Sequence, residues 1–192
     1  MADSIIMTFN FKKCQFVISP GFVGLVTILL LLDTTGVMGY LLLAILLHES
    51  GHLVCMALFD CMPSKVCLYP FEINIAIRKL PATRWKHCLL ICGGVLVNGC
   101  VAVVSGGTFQ TVNFFLAVFH LLPLYSLDGY QLIKLLCDPI QSIARLPNLL
   151  SLFSIVLLSL AGGWMVCVHH NPLLLLFCLY LGLLQIRSQR HT

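Results

Sequence analysis

The chain has 192 residues, of which 59% are hydrophobic and only 9% charged, with a mean hydropathy of +1.00. A soluble domain carries about a quarter charged residues, so this composition cannot clothe a water-facing surface, and a lipid bilayer is the expected surrounding. The formal net charge of +4 is spread along the chain. It forms no basic patch of the kind that binds nucleic acid, and no nucleic-acid partner is expected.

Six apolar segments follow one another. The first covers residues 16–32 and is interrupted by Pro20-Gly21. A signal peptide with Lys12 and Lys13 as its basic region is the alternative. No small-x-small cleavage site follows it, so a retained helix is expected, closed by a tight turn at Asp33-Thr34-Thr35-Gly36. The second segment covers 37–59 and the third 85–105. The fourth covers 112–127, with a possible continuation to 136; the fifth covers 149–168 and the sixth 172–186. Several approach the ~20 residues a spanning helix needs. Residues 64–80 read differently. Lys65-Val66-Cys67-Leu68-Tyr69 and Glu72-Ile73-Asn74-Ile75-Ala76-Ile77-Arg78 mix polar and β-branched residues in partial alternation, with Pro70 between them. Such alternation predicts short strands, and open strand edges cannot face hydrocarbon, so this piece belongs at the interface or lines a cavity. The fold class is therefore an all-α polytopic membrane protein, with about six transmembrane helices and a small interfacial β element after the second. One domain, 1–192, is expected.

Numbering the compartments alternately from the N-terminus puts all eleven Lys and Arg residues on one side. Basic residues stay cytoplasmic, so both termini are expected in the cytoplasm of a multi-pass protein of the bacterial cytoplasmic membrane. Ten cysteines raise the question of a disulfide scaffold. Six of them (Cys55, Cys88, Cys92, Cys100, Cys167, Cys178) lie inside apolar runs, where Cys acts as a small hydrophobe. No CxxC pair is present, and a cysteine metal site is not expected.

The chemistry concentrates in His48-Glu49-Ser50-Gly51-His52. Two histidines four apart on a helix share one face and reach one ion, and zinc favours nitrogen ligands. Glu49 sits about 100° round the helix, close enough to hold a water at the metal without ligating it, as a general base requires. A chance match in this composition has odds of about 0.3%. Ionisable residues within an apolar span are costly and mark function. Catalytic zinc takes three protein ligands and keeps one position open. Among seven acidic residues, only Asp128 lies in an apolar run away from the ends of the second segment, between Pro123 and Gly129. Zn²⁺ with ionised Glu49 and Asp128 is neutral as a group, which lowers the cost of burying each charge. An ordinary aspartate at a helix end is the alternative.

Three stretches, HESGH at 48–52, GGVLVN at 93–98 and LLPLYSLDG at 121–129, resemble the site-2 protease family of intramembrane zinc metalloproteases, in its compact bacterial branch that includes stage IV sporulation protein FB. The resemblance covers residues 20–140. It implies zinc ligation by His48, His52 and Asp128, catalysis by Glu49, and hydrolysis of a peptide bond in or beside a transmembrane segment of a membrane-spanning or membrane-associated protein substrate. Neither a PDZ nor a CBS domain is expected. The resemblance also places Asn98 near the active site; a helix–helix hydrogen bond is its alternative. The pattern departs at His120, which stands where the family has an asparagine thought to contact substrate. His120 is a candidate hydrogen-bond donor to substrate, or a pocket-lining histidine. Two rival functions are a catalytically inactive scaffold and a small metal transporter. The first is disfavoured because all four chemical residues are present, the second because no paired repeat is found.

Overall fold

The computed structural model describes residues 7–11, 14–69, 72–125, 127–138, 145–169, 175, 179 and 180. They divide into two compact units, Met1–Ala117 and Val118–Thr192.

The first unit opens on two short strands, β1 (Met7–Phe11) and β2 (Cys14–Ile18). Ser19 then caps α1 (Pro20–Leu32), its side chain accepting from the Phe22 N–H at 3.2 Å, and Pro20 starts the helix, where its missing N–H costs nothing. The helix α1 buries none of its side chains within the fold. It is apolar all round, the pattern of a segment solvated by lipid, and at about 20 Å it is shorter than a ~30 Å hydrocarbon core. Asp33 closes the turn that follows: its carboxylate accepts from the Thr35 hydroxyl and N–H at 2.7 and 3.0 Å and from the Met38 N–H at 2.8 Å. Gly36, at φ 75°, takes a left-handed conformation there. Next come α2 (Val37–Leu58), β3 (Pro63–Tyr69), β4 (Glu72–Ile77), α3 (Arg84–Val104) and α4 (Gly107–His120), whose last three residues fall in the second unit.

The four strands form one sheet in the order β1-β2-β3-β4. The outer pairs are antiparallel, Met7 opposite Ile18 and Tyr69 opposite Glu72. The central pair is parallel, Gln15 opposite Lys65 and Ile18 opposite Leu68. A parallel pair needs a long crossover, and here the crossover is the helical hairpin α1–α2. The sheet therefore holds the start of α1 next to the end of α2, and the Ser19 N–H reinforces this by donating to the Leu68 carbonyl at 3.0 Å. Beneath it, Met56 of α2, Cys61 and Leu90 of α3 form a core against which Ile75 and Ile77 of β4 pack.

The strands expected in 64–80 are present. The chain corrects the reading of its start: residues 16–18 belong to β2, and a β-hairpin precedes the first helix. The Gln15-Phe16-Val17-Ile18 stretch is β-branched but runs unbroken into apolar α1, so hydropathy alone hides the boundary at Ser19-Pro20.

In the second unit, the apolar run expected to continue to 127 ends as a helix at His120. Pro123 offers no N–H to a helix and disfavours helical backbone at Leu122. The loop turns back through hydrogen bonds from the N–H groups of Leu122, Leu124 and Leu127 to Phe119, Leu122 and Leu124. The helix α5 (Asp128–Cys137) follows, and then α6 (Leu146–His169). Leu124 is fully buried and, with Leu127, packs among Phe119, Leu122, Ile155, Leu158 and Tyr180. The Tyr130 hydroxyl donates to Asn148 Oδ1 at 2.5 Å.

Among the described residues, Val37–Leu58, Arg84–Val104 and Leu146–Val168 are long and apolar enough to cross a membrane. Large apolar side chains stand exposed along them, Leu43, Leu46, Leu96, Phe153 and Leu160 among them. These features are those of an integral membrane protein. The sixth expected segment, 172–186, lies largely outside the described residues.

Candidate metal centre

His48 and His52 lie in the second half of α2 and are 1% and 8% exposed. Their Nε2 atoms are 3.2 Å apart, with the ring planes inclined at 74°. Two nitrogens bound to tetrahedral zinc at 2.0–2.1 Å would be about 3.3–3.4 Å apart. The pair therefore already has the spacing of two zinc ligands.

Two features of α3 fix that spacing. His52 Nδ1 lies 2.8 Å from the Leu90 carbonyl oxygen. A carbonyl only accepts, so Nδ1 carries the proton and Nε2 presents its lone pair, the tautomer a metal ligand needs. Gly94 lies over both rings: a Cβ there would stand 2.5 Å from His48 Nε2 and 2.6 Å from His52 Nε2. Glycine leaves that space free of side chain. One residue earlier on each helix the backbones nearly touch, because a Cβ on Gly51 would collide with the Gly93 carbonyl and one on Gly93 would lie 2.7 Å from the Gly51 carbonyl oxygen. Close approach through small residues is how apolar helices pack without a hydrophobic drive. Glu49, on the same turn as His48, is half-buried.

Asn98 follows Gly94 by one turn and is completely buried. Neither Nδ2 nor Oδ1 has a hydrogen-bond partner among the described residues. An unsatisfied buried amide costs about 1–3 kcal/mol.

The second unit brings the other two candidates together. Asp128 is the first residue of α5, where the helix dipole favours a carboxylate. Its Oδ2 lies 3.3 Å from Nδ1 of His120, the last residue of α4. Gly129 makes the return of the chain feasible: a Cβ there would run into the Leu121 carbonyl.

His48 and His52 are thus paired in one unit, and His120 and Asp128 in the other. Imidazole nitrogens and carboxylate oxygens are each donors that suit zinc. The roles of the Leu90 carbonyl and Gly94 escaped the sequence reading. A backbone acceptor leaves no residue signature, and Gly94 read as one of several packing glycines.

No protein-family model matches the chain, and no curated protein matches it. Among solved structures it is similar to the site-2 protease from Methanocaldococcus jannaschii, with a TM-score of 0.64 and 16% identity, over 92% of this chain and 91% of that one. The resemblance read from HESGH and LLPLYSLDG is thereby met at the level of the whole architecture: the chain has the fold of a site-2 protease.

Proposed function

We propose that this chain is an intramembrane zinc metalloprotease that hydrolyses a peptide bond in or next to a transmembrane segment of a protein substrate. The observation that carries the reading is the pair of buried imidazoles, Nε2 to Nε2 at 3.2 Å, set at zinc-ligand spacing inside an apolar helix. The Leu90 anchor, the opening at Gly94 and the site-2 protease fold support it.

In this reading His48, His52 and Asp128 hold the metal. When bound, zinc polarises the scissile carbonyl and lowers the pKa of the attacking water. Glu49 accepts the proton from that water as its oxygen adds to the carbonyl carbon, and delivers it to the amine as the C–N bond breaks. Asn98, with a buried amide lacking a hydrogen-bond partner among the described residues, is assigned to bind substrate. A helical substrate hides its carbonyls and must unwind locally; β4, an edge strand of the sheet, can hold the unwound segment by strand addition. His48 stands about 16 Å along α2 from Val37, just past the middle of a ~30 Å core. It lies in the half that ends at the sheet and its basic residues, so substrate and water enter from the cytoplasmic side.

The test is cleavage of single-span fusion proteins by the purified chain in liposomes, with and without a zinc chelator. Cleavage that stops on chelation and returns with zinc is expected. Tight zinc binding with no cleavage of any fusion would make the chain an inactive scaffold. Zinc passing across the vesicle wall without cleavage would make it a transporter.

A further inference from the structure

The end of α2 and the start of α3 lie side by side. Phe59, just past α2, meets Trp85, the second residue of α3, with ring centroids 5.8 Å apart and the planes inclined at 78°. The Lys86 ammonium stands 5.6 Å from both ring centroids, within reach of a cation–π interaction with each. Both helices are long and apolar enough to cross a membrane, so this cluster marks the level at which they leave the hydrocarbon. Leu58, Met62 and Trp85 are exposed apolar side chains there, and Arg84 is exposed beside them. Aromatic rings mixed with long basic side chains suit the headgroup level of a bilayer.

The charge at this level is one-sided. Arg78 and Lys79 leave β4 at the end where Ile77 pairs with Pro63, and Lys65 of β3 lies opposite Ala76. Phe59 and Ile77 pack on the same core as Leu90 of α3, which brings that strand end to the start of α3 with its Arg84 and Lys86. Asp60 is the one acid near these five cations, since Glu72 starts β4 about 17 Å away at its other end. Like charges gathered in one place repel one another, and the anion at hand on a membrane surface is a lipid phosphate. We infer that the Phe59, Trp85 and Lys86 cluster, with Arg84, binds the headgroup of an anionic phospholipid. The two rings hold the Lys86 ammonium at the membrane surface, Lys86 and Arg84 donate to the phosphate oxygens, and the acyl chains lie against Leu58 and Met62. An acidic protein segment would meet the same cations, but it would leave the exposed apolar border unmatched, whereas a lipid matches both parts. The inference uses the membrane character of the chain and is independent of the proteolytic reading.

Trp85 is its own reporter. The chain has two tryptophans, and Trp164→Phe leaves Trp85 as the single emitter. The full chain with this change is reconstituted into phosphatidylcholine bilayers at low, constant ionic strength. Phosphatidylglycerol or phosphatidylcholine brominated near the top of the acyl chains is then mixed in, because bromine quenches a tryptophan it touches. The expected result is that brominated phosphatidylglycerol quenches Trp85 at a lower mole fraction than brominated phosphatidylcholine. That preference should fall about 5-fold for each charge removed, in Arg84→Gln and in Lys86→Gln, and stay parent-like in Lys86→Arg. Equal quenching by the two lipids in the parent overturns the proposal, as does a preference that the double variant R84Q/K86Q retains. Inorganic phosphate should leave the preference unchanged; its abolition would give the cations to a free anion and overturn the lipid assignment. Displacement of brominated phosphatidylglycerol by a stoichiometric glutamate-rich peptide would overturn it in favour of a protein partner. Circular dichroism checks the fold of each variant, and the comparison of K86R with K86Q decides the matter even where R84Q fails to fold.

Discussion

The Gly94→Ala substitution tests the metal centre with a single methyl group. A Cβ at this position would sit 2.5 Å from His48 Nε2, 2.6 Å from His48 Cε1 and 2.6 Å from His52 Nε2. Non-bonded heavy atoms reach their optimum near 3.5 Å, so the rings must retreat by about 0.9–1 Å. The Leu90 hydrogen bond holds His52 against that retreat, and zinc tolerates only about 0.2 Å in ligand distance. Overpacking of this size costs about 1–3 kcal/mol. If that cost falls on the metal-bound state, the zinc dissociation constant rises about 5–150-fold. The assay is chelator competition on the purified variant, with metal content determined by mass spectrometry. Gly99→Ala is the matched control, because nothing lies within 4 Å of its Cβ position; it should bind zinc like the parent. A folded G94A variant with parent-like zinc affinity would refute the claim that Gly94 keeps the ion's place open.

Glu49→Gln should keep one zinc per chain and lower the rate of peptide hydrolysis at least 10²–10⁴-fold, about the contribution of a general base; parent-like turnover would remove Glu49 from the chemistry. Leu124→Ala deletes a fully buried side chain from the second unit and should destabilise it by about 2–5 kcal/mol in an SDS unfolding titration. A change below 0.5 kcal/mol, roughly that of an ordinary surface substitution, would mean that Leu124 does not pin the loop. In a background with the native thiols replaced, an impermeant thiol reagent applied to intact cells should label a cysteine placed at His169 and miss one placed at Lys79. The opposite pattern would invert the topology and the side on which product leaves.

The parts of the molecule that announce themselves in the sequence are those where a residue type is costly in its surroundings. Two histidines and a glutamate inside an apolar run point to the proposed metal site because lipid tolerates such residues mainly for function. The same logic singles out Asp128 beside Pro123 and Gly129. Alternation in 64–80 exposes β3 and β4, since a period of two is incompatible with the helices on either side. What stays hidden is carried by backbone or by continuity. The Leu90 carbonyl is an acceptor that any residue would offer. The apolar run through Phe16-Val17-Ile18 into α1 conceals a change from strand to helix, because both states are apolar here. The parallel pairing of β2 with β3 is invisible because no local pattern encodes a partner so distant in the chain.

That pairing sets an order of assembly. The hairpin β1–β2 leaves the ribosome before the partner of β2, so one edge of β2 is unpaired until β3, which begins about 45 residues later, after α1 and α2. At 5–20 residues per second this leaves an exposed strand edge for about 2–9 seconds, the kind of edge that recruits foreign strands. On the proposed topology, closure waits until both helices have entered the bilayer and returned the chain to the side where β2 remains. A failed or inverted insertion of α1–α2 would strand β3 away from β2, and the nascent protein would keep a sticky edge that quality-control proteases can recognise.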